Sequence, residues 1–153
     1  MLTFLKFVPS KDVKGTCIMK NINNKSLHQK LGIKEGFEVK LINEPDNYIE
    51  LLNGIAPQIR FHNKLKKPVD VIHLFTKSKN ELLIEFPFLK NFIRTDGMLW
   101  ISWPKINSKY VSDLNENIIR EIGLTNGLVD TKICSIDDNW SALKFVYRTK
   151  ERK

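Results

Sequence analysis

Cysteine is nearly absent. Only Cys17 and Cys134 occur among the 153 residues, and they form no C-x-x-C pair. That excludes a disulfide-stapled scaffold and a thiolate metal cluster. His28, His62 and His73 lie far from one another and from both cysteines in sequence, so no metal-ligand spacing exists. No run approaches the roughly 20 apolar residues that a spanning helix needs. The opening MLTFLKFVPSKD is too short and too interrupted by lysine for a secretory core. Two unpaired thiols without an export signal predict a soluble protein in the reducing cytoplasm. Glycine is sparse as well, with none between Gly36 and Gly54. No repeat or low-complexity tract interrupts the chain.

With 42% hydrophobic and 27% charged residues, the composition is that of a globular chain, which sets aside collagenous, coiled-coil and disordered classes. The length fits one domain with a sizeable core. The net charge of +8 sits at the two ends. Met1 to Lys40 carries eight lysines against Asp12, Glu35 and Glu38; Arg148 to Lys153 carries two arginines and two lysines against Glu151. The body between them is neutral, a pattern of solubilising ends more than of a nucleic-acid face. Met19 offers a second start, because the residues before it lack periodicity. The expected organisation is an N-terminal extension over 1–18, one domain over 19–148 and a basic tail over 149–153.

Within that domain, strand and helix patterns alternate. Strands are predicted at Phe37–Asn43, Gln58–His62, Val69–Phe75, Met98–Trp103, Leu128–Ile136 and Ala142–Arg148, and a short helix at Tyr48–Asn53 ending before Gly54. Ser78-Lys-Asn-Glu81 has the form of a capping box opening a helix to about Ile93, kinked or broken at Pro87. Asp96-Gly97 reads as a turn. Asp113-Leu-Asn-Glu116 reads as an acidic capping box for a helix that stops at Gly123, and Asp137-Asp-Asn139 as the turn of a closing hairpin. Strands alternating with helices predict a three-layer α/β domain with a mostly parallel sheet and a C-terminal antiparallel hairpin.

A strand, a helix, the Gly97-Met-Leu-Trp strand, another helix and a closing hairpin resemble the C-terminal half of a class I methyltransferase, with the first half shortened. A closer resemblance runs from about Leu27 to Arg148. It is carried by Lys30-Leu-Gly-Ile-Lys-Glu-Gly36, Leu41-Ile-Asn-Glu-Pro45, Trp103-Pro-Lys105, Asp113-Leu114, Arg120-Glu-Ile-Gly123, Gly127-Leu-Val-Asp130 and Trp140-Ser-Ala-Leu-Lys-Phe-Val146. Together these runs resemble the bacterial family numbered 3052 among the domains of unknown function. That resemblance implies a small cytoplasmic domain and no particular reaction.

In such a sheet, a ligand site lies outside the carboxyl ends of the central strands. The groups delivered there are Asn43, Glu44 and Pro45; Thr76 and Lys77; and Trp103, Pro104 and Lys105. Trp103 is a candidate stacking wall, against the alternative of a strand-end core residue, and Lys77 or Lys105 a candidate charge for a small anionic ligand, against the alternative of a solvated side chain. S-adenosylmethionine needs glycine after the first strand and an acid after the second, whereas the chain supplies Asn43-Glu-Pro45 and His62-Asn-Lys64. The lead expectation is therefore a non-enzymatic binding or interaction domain with no cofactor, no metal and no catalytic residue. An S-adenosylmethionine-dependent methyltransferase with an atypical cofactor site is the alternative, and weak nucleic-acid binding through the basic ends a further one. His73 is expected to be a hydrogen-bonded core histidine, and Cys134 a small hydrophobe.

Overall fold

The computed structural model describes residues 26–52 and 54–149; the expected extension at 1–18 and the tail from 150 onward lie outside the described residues, as does the nucleic-acid reading that rests on them. Helix α1 (Leu27–Leu31) leads into strand β1 (Glu38–Ile42), the short helix α2 (Tyr48–Leu51) and strand β2 (Arg60–Phe61). Strand β3 (Val69–Phe75), helix α3 (Lys79–Lys90) and strand β4 (Ile93–Pro104) follow. Helix α4 (Glu116–Thr125), β5 (Leu128–Ser135) and β6 (Trp140–Tyr147) complete the domain. Among the described residues, six strands form one sheet in the order β2-β1-β3-β4-β6-β5. The first four are parallel; β6 runs antiparallel to β4, and β5 antiparallel to β6. This is the mixed α/β domain the periodicity predicts. No helix among the described residues is long and apolar enough to cross a membrane.

The sheet is buried on both faces because its central strands are apolar throughout. Ile72 and Leu74 of β3 and Leu99, Ile101 and Trp103 of β4 pack under α3 and α4, against Leu82, Phe86, Ile119 and Ile122. Val71 and Phe75 of β3 and Trp100 of β4 pack on the other face with Leu31, Ile33, Tyr48 and Leu52. The Trp100 indole donates to the Leu31 carbonyl at 3.0 Å, so the ring's polar edge is satisfied inside the core. His73 lies on β3, fully buried among its apolar neighbours. One ring nitrogen shares a hydrogen bond with the Tyr48 hydroxyl (2.9 Å) and the other with Ser102 Oγ (2.7 Å).

Local signals differ from the outcome where tertiary packing competes. The Ser78 box is half formed: Ser78 Oγ accepts from the Glu81 amide at 3.2 Å, but the Glu81 carboxylate accepts from Thr76 Oγ1 instead of returning to Ser78. Pro87 stays within α3, on its exposed side. The N-cap of α4 is Asn115, whose side chain accepts from the Ile118 amide (2.9 Å); Asp113 reaches across to accept from the Lys79 amide (2.8 Å) at the start of α3. Gly123 does not stop α4, which runs on to Thr125; it is a packing glycine, with the Phe145 ring in the place a side chain would take. Asp96 and Gly97 lie within β4 at a bulge, where β4 advances from Ile93 to Met98 while β3 advances from Val69 to Val71. A Cβ on Gly97 would stand 2.7 Å from the Asp70 carbonyl oxygen, which explains the glycine.

Burial pushes His73 down to about 3 and the Tyr48 phenol well above its usual range. The unfolded chain takes up a proton on His73 near pH 6.5 and the folded chain does not, so this contribution to stability is complete above that pH and is lost toward pH 3. Between pH 7.5 and pH 4, the wild-type protein should lose about 3 kcal/mol more stability in urea titrations than a His73→Gln variant. Parallel pH profiles for the two proteins would contradict this account.

Candidate active site

The chain order breaks beside β1. From β1 the chain moves outward to β2, then crosses back to β3 on the other side of β1. At the carboxyl ends of β1 and β3 the loops therefore part in opposite directions and leave a crevice. A cleft of about 450 Å³ opens there, lined by Asn43 to Asp46 after β1, by Phe75, Thr76 and Lys77 after β3, by Glu81 from α3, and by Tyr110 and Trp140. Its size is within the range of small-molecule sites, roughly 300–1,000 Å³.

Each lip has a local cause. Asn43 adopts a left-handed backbone with φ 61°, the one described non-glycine residue to do so, and its side-chain amide donates to the Phe75 carbonyl at 3.4 Å. Asparagine tolerates this region better than other side chains, so the sharp turn after β1 needs no glycine. The Tyr48 amide donates to the Pro45 carbonyl (3.0 Å), closing the loop into α2. On the opposite lip, the Thr76 amide donates to the Ser102 carbonyl (3.0 Å), and the Thr76 hydroxyl draws the Glu81 carboxylate toward the cleft. The far wall is aromatic. Trp140 stands edge-on to Phe75 with ring centres 5.1 Å apart and packs against Tyr110 at 5.3 Å. Lys77 Nζ lies 5.1 Å from the centre of the Tyr110 ring.

Of the residues expected at the site, Asn43, Glu44, Pro45, Thr76 and Lys77 meet in this cleft. Trp103 and Lys105 do not line it. Strand β4 does not leave the sheet at Trp103, since Pro104 still pairs with Trp140 of β6, and the alternation turns Trp103 into the core beneath α3 and α4. Lys105 is tied to the final hairpin: its amide donates to the Asn139 carbonyl (2.8 Å) and its Nζ to Ser135 Oγ (2.6 Å). Asp46, Phe75, Glu81, Tyr110 and Trp140 are the lining groups that sequence reasoning missed. The hairpin carried a signal for Trp140, because an antiparallel return along β4 brings the first residue of β6 to the carboxyl end of β4. His62, which follows β2, is engaged by the Glu38 carboxylate at 2.9 Å, which Lys67 and Arg94 also bind at 3.3 and 3.1 Å. Burial raises the Glu38 pKa, but the hydrogen bonds from Lys67 and His62 outweigh it and hold the carboxyl below its ordinary value. Among the described residues no histidine, cysteine and carboxylate cluster could hold a metal ion.

No family model matches the chain, and no curated protein matches it. Solved structures do. A TehB-like SAM-dependent methyltransferase from Corynebacterium glutamicum aligns at 10% identity over 85% of this chain and 92% of that one, with a TM-score of 0.51. The chain has a methyltransferase-like α/β fold. Magnesium protoporphyrin IX methyltransferase from Synechocystis PCC 6803 with bound SAH aligns at 14% identity over 74% of this chain and 75% of that chain, TM-score 0.55. A SAM-dependent methyltransferase from Aquifex aeolicus aligns at 13% over 83% and 95%, TM-score 0.51. These likenesses overturn the expectation of a non-enzymatic module. That reading rested on a missing glycine after the first strand and a missing acid after the second; Asn43 makes a left-handed turn after β1 without glycine.

Because Trp103 is a core residue and not a cleft wall, Trp103→Ala should destabilise the protein by about 3–5 kcal/mol, as much as Trp100→Ala, in denaturant unfolding. A loss below about 1 kcal/mol for Trp103→Ala alone would mean that the ring already faces solvent.

Proposed function

We propose that the chain is an S-adenosylmethionine-dependent methyltransferase, and that the cleft between the ends of β1 and β3 holds the cofactor. The observation that carries this reading is the coincidence of that cleft with the point where strand order reverses, in a sheet shared with methyltransferases.

The residues present fit such a cofactor. The left-handed turn at Asn43 lets the backbone at the end of β1 approach a bound molecule closely. Glu44 and Asp46 stand exposed on the same lip, where carboxylates accept hydrogen bonds from ribose hydroxyls or an ammonium group. They supply the acid that the second strand, ending in the engaged His62, does not. Tyr110 and Trp140 offer flat apolar surface for a purine. The cleft's charge also corrects the expected anionic ligand: Glu44, Asp46 and Glu81 face a single lysine, Lys77, and so favour a cation. When bound, S-adenosylmethionine supplies a methyl group on a positively charged sulfur. The chain's own part is to seat the nucleoside, to surround positive charge with carboxylates and to exclude water with the Phe75, Tyr110 and Trp140 wall.

Isothermal titration calorimetry tests the proposal. S-adenosylmethionine should bind with a Kd of about 10 μM, so that 1 mM ligand adds about 2.7 kcal/mol of stability in a melting experiment. Glu44→Gln combined with Asp46→Asn should weaken binding at least about tenfold while leaving the unliganded melting temperature unchanged, because both side chains are exposed. No binding heat and no stabilisation at millimolar ligand would refute the assignment.

A further inference from the structure

We infer that Tyr48, His73 and Ser102 form a buried positioning unit that holds the two lips of the cleft at a fixed separation, so that the Tyr48 hydroxyl governs binding without lining the site. The inference rests on the proposed cofactor cleft, but its geometry stands apart from any ligand.

All three side chains are fully buried, in a layer otherwise built from Val71, Phe75, Trp100 and Leu52. Phenylalanine, an aliphatic residue and alanine would fill the same space without desolvating polar groups, so packing alone gives no reason for the trio. What the trio does is join elements. Tyr48 begins α2 and ends the loop that carries Asn43, Glu44 and Asp46; its hydroxyl meets His73 on β3, two residues before Phe75. His73 meets Ser102 on β4 at 2.7 Å, and the Ser102 carbonyl accepts from the Thr76 amide on the opposite lip. The ends of β1, β3 and β4 are thereby connected by one continuous hydrogen-bonded path.

Aromatic contacts brace the same path. The His73 ring stacks on Phe75 with centres 4.3 Å apart, and Tyr48 stands edge-on to Phe75 at 5.7 Å. Phe75 in turn supports Trp140, so a shift of Tyr48 reaches the aromatic wall. Burial depresses His73 ionisation, which keeps the ring neutral and its two nitrogens in one donor and one acceptor role through the physiological range. A neutral, fully engaged network in a dry core is stiff, and stiffness beneath a loop is what pre-forms a site on it.

Tyr48→Phe separates positioning from packing, since it keeps the ring contacts and removes only the hydroxyl. In the full-length protein, hydrogen exchange of the lip amides of Tyr48, Leu51 and Thr76, which donate to the Pro45, Asn47 and Ser102 carbonyls, should accelerate at least about tenfold in Tyr48→Phe, with the melting temperature within a few degrees of wild type. S-adenosylmethionine affinity, read by calorimetry, should fall by a similar factor. Ser102→Ala should act in the same direction, and the double variant should lose less than the two single losses combined, because both cut one path. Lip-amide exchange unchanged in both single variants overturns the inference whatever the ligand does. Faster exchange in the variants together with no S-adenosylmethionine binding by the wild-type protein refutes the proposed function and leaves the positioning unit standing.

Discussion

Strand β3 is hydrogen-bonded on both edges and buried on both faces, and the rest of the molecule is arranged around that condition. A strand so enclosed must be apolar, which is why Val71, Ile72, Leu74 and Phe75 leave no outward position for a charge. It must also release the chain at one end into space that no neighbouring strand fills. Because β1 and β3 are adjacent while their following segments diverge, that space becomes a crevice, and its position depends on topology more than on any single side chain. The one polar side chain in the enclosed run after Asp70, His73, is neutral, doubly hydrogen-bonded and placed directly under the crevice.

The architecture was legible because its signals are redundant. Alternating apolar strands, half of a serine cap at Ser78 and a closing hairpin all agree with the observed layers, and each is reinforced by burial. Helix ends were less legible. Asp113 and Glu116 have cap spacing, yet Asn115 takes the cap because Asp113 is worth more at the start of the neighbouring helix, an exchange no local pattern encodes. Gly123 has the look of a helix stop and is instead a contact surface for Phe145. Helix α1, five residues long and opened by Ser26, carries too short a period to stand out in sequence. At the site, the loops after β1 and β3 could be named from strand ends alone. Trp140 and Tyr110 required knowing which segments return to the same edge; Trp103 was a wall candidate because the strand was read as leaving the sheet before Pro104, whereas Pro104 is its last paired residue and Trp103 is core.

The reading of the turn after β1 holds a more general point. The absence of glycine after the first strand argued against a cofactor loop, because glycine lets the backbone approach a ligand closely. Asparagine accepts a left-handed backbone at modest cost, and here its amide also spans the crevice floor to the Phe75 carbonyl. The residue thus forms the turn and ties it to β3. The carboxylates beside it, with Glu81 across the gap, make the crevice electronegative within a chain of net charge +8. The charges nearest a site, more than the net charge of the chain, set the field a ligand meets there.

The central claim is that the crevice at the ends of β1 and β3 is the binding site for S-adenosylmethionine. Amide chemical-shift mapping of the isotope-labelled protein during titration with that compound tests it most directly. The account predicts saturable shifts at Asn43 to Asp46, Thr76, Lys77, Tyr110 and Trp140, with none at Lys67, Arg94 or Asp96 on the opposite end of the sheet. Shifts confined to other surfaces, or a spectrum that millimolar compound leaves unchanged, would contradict it.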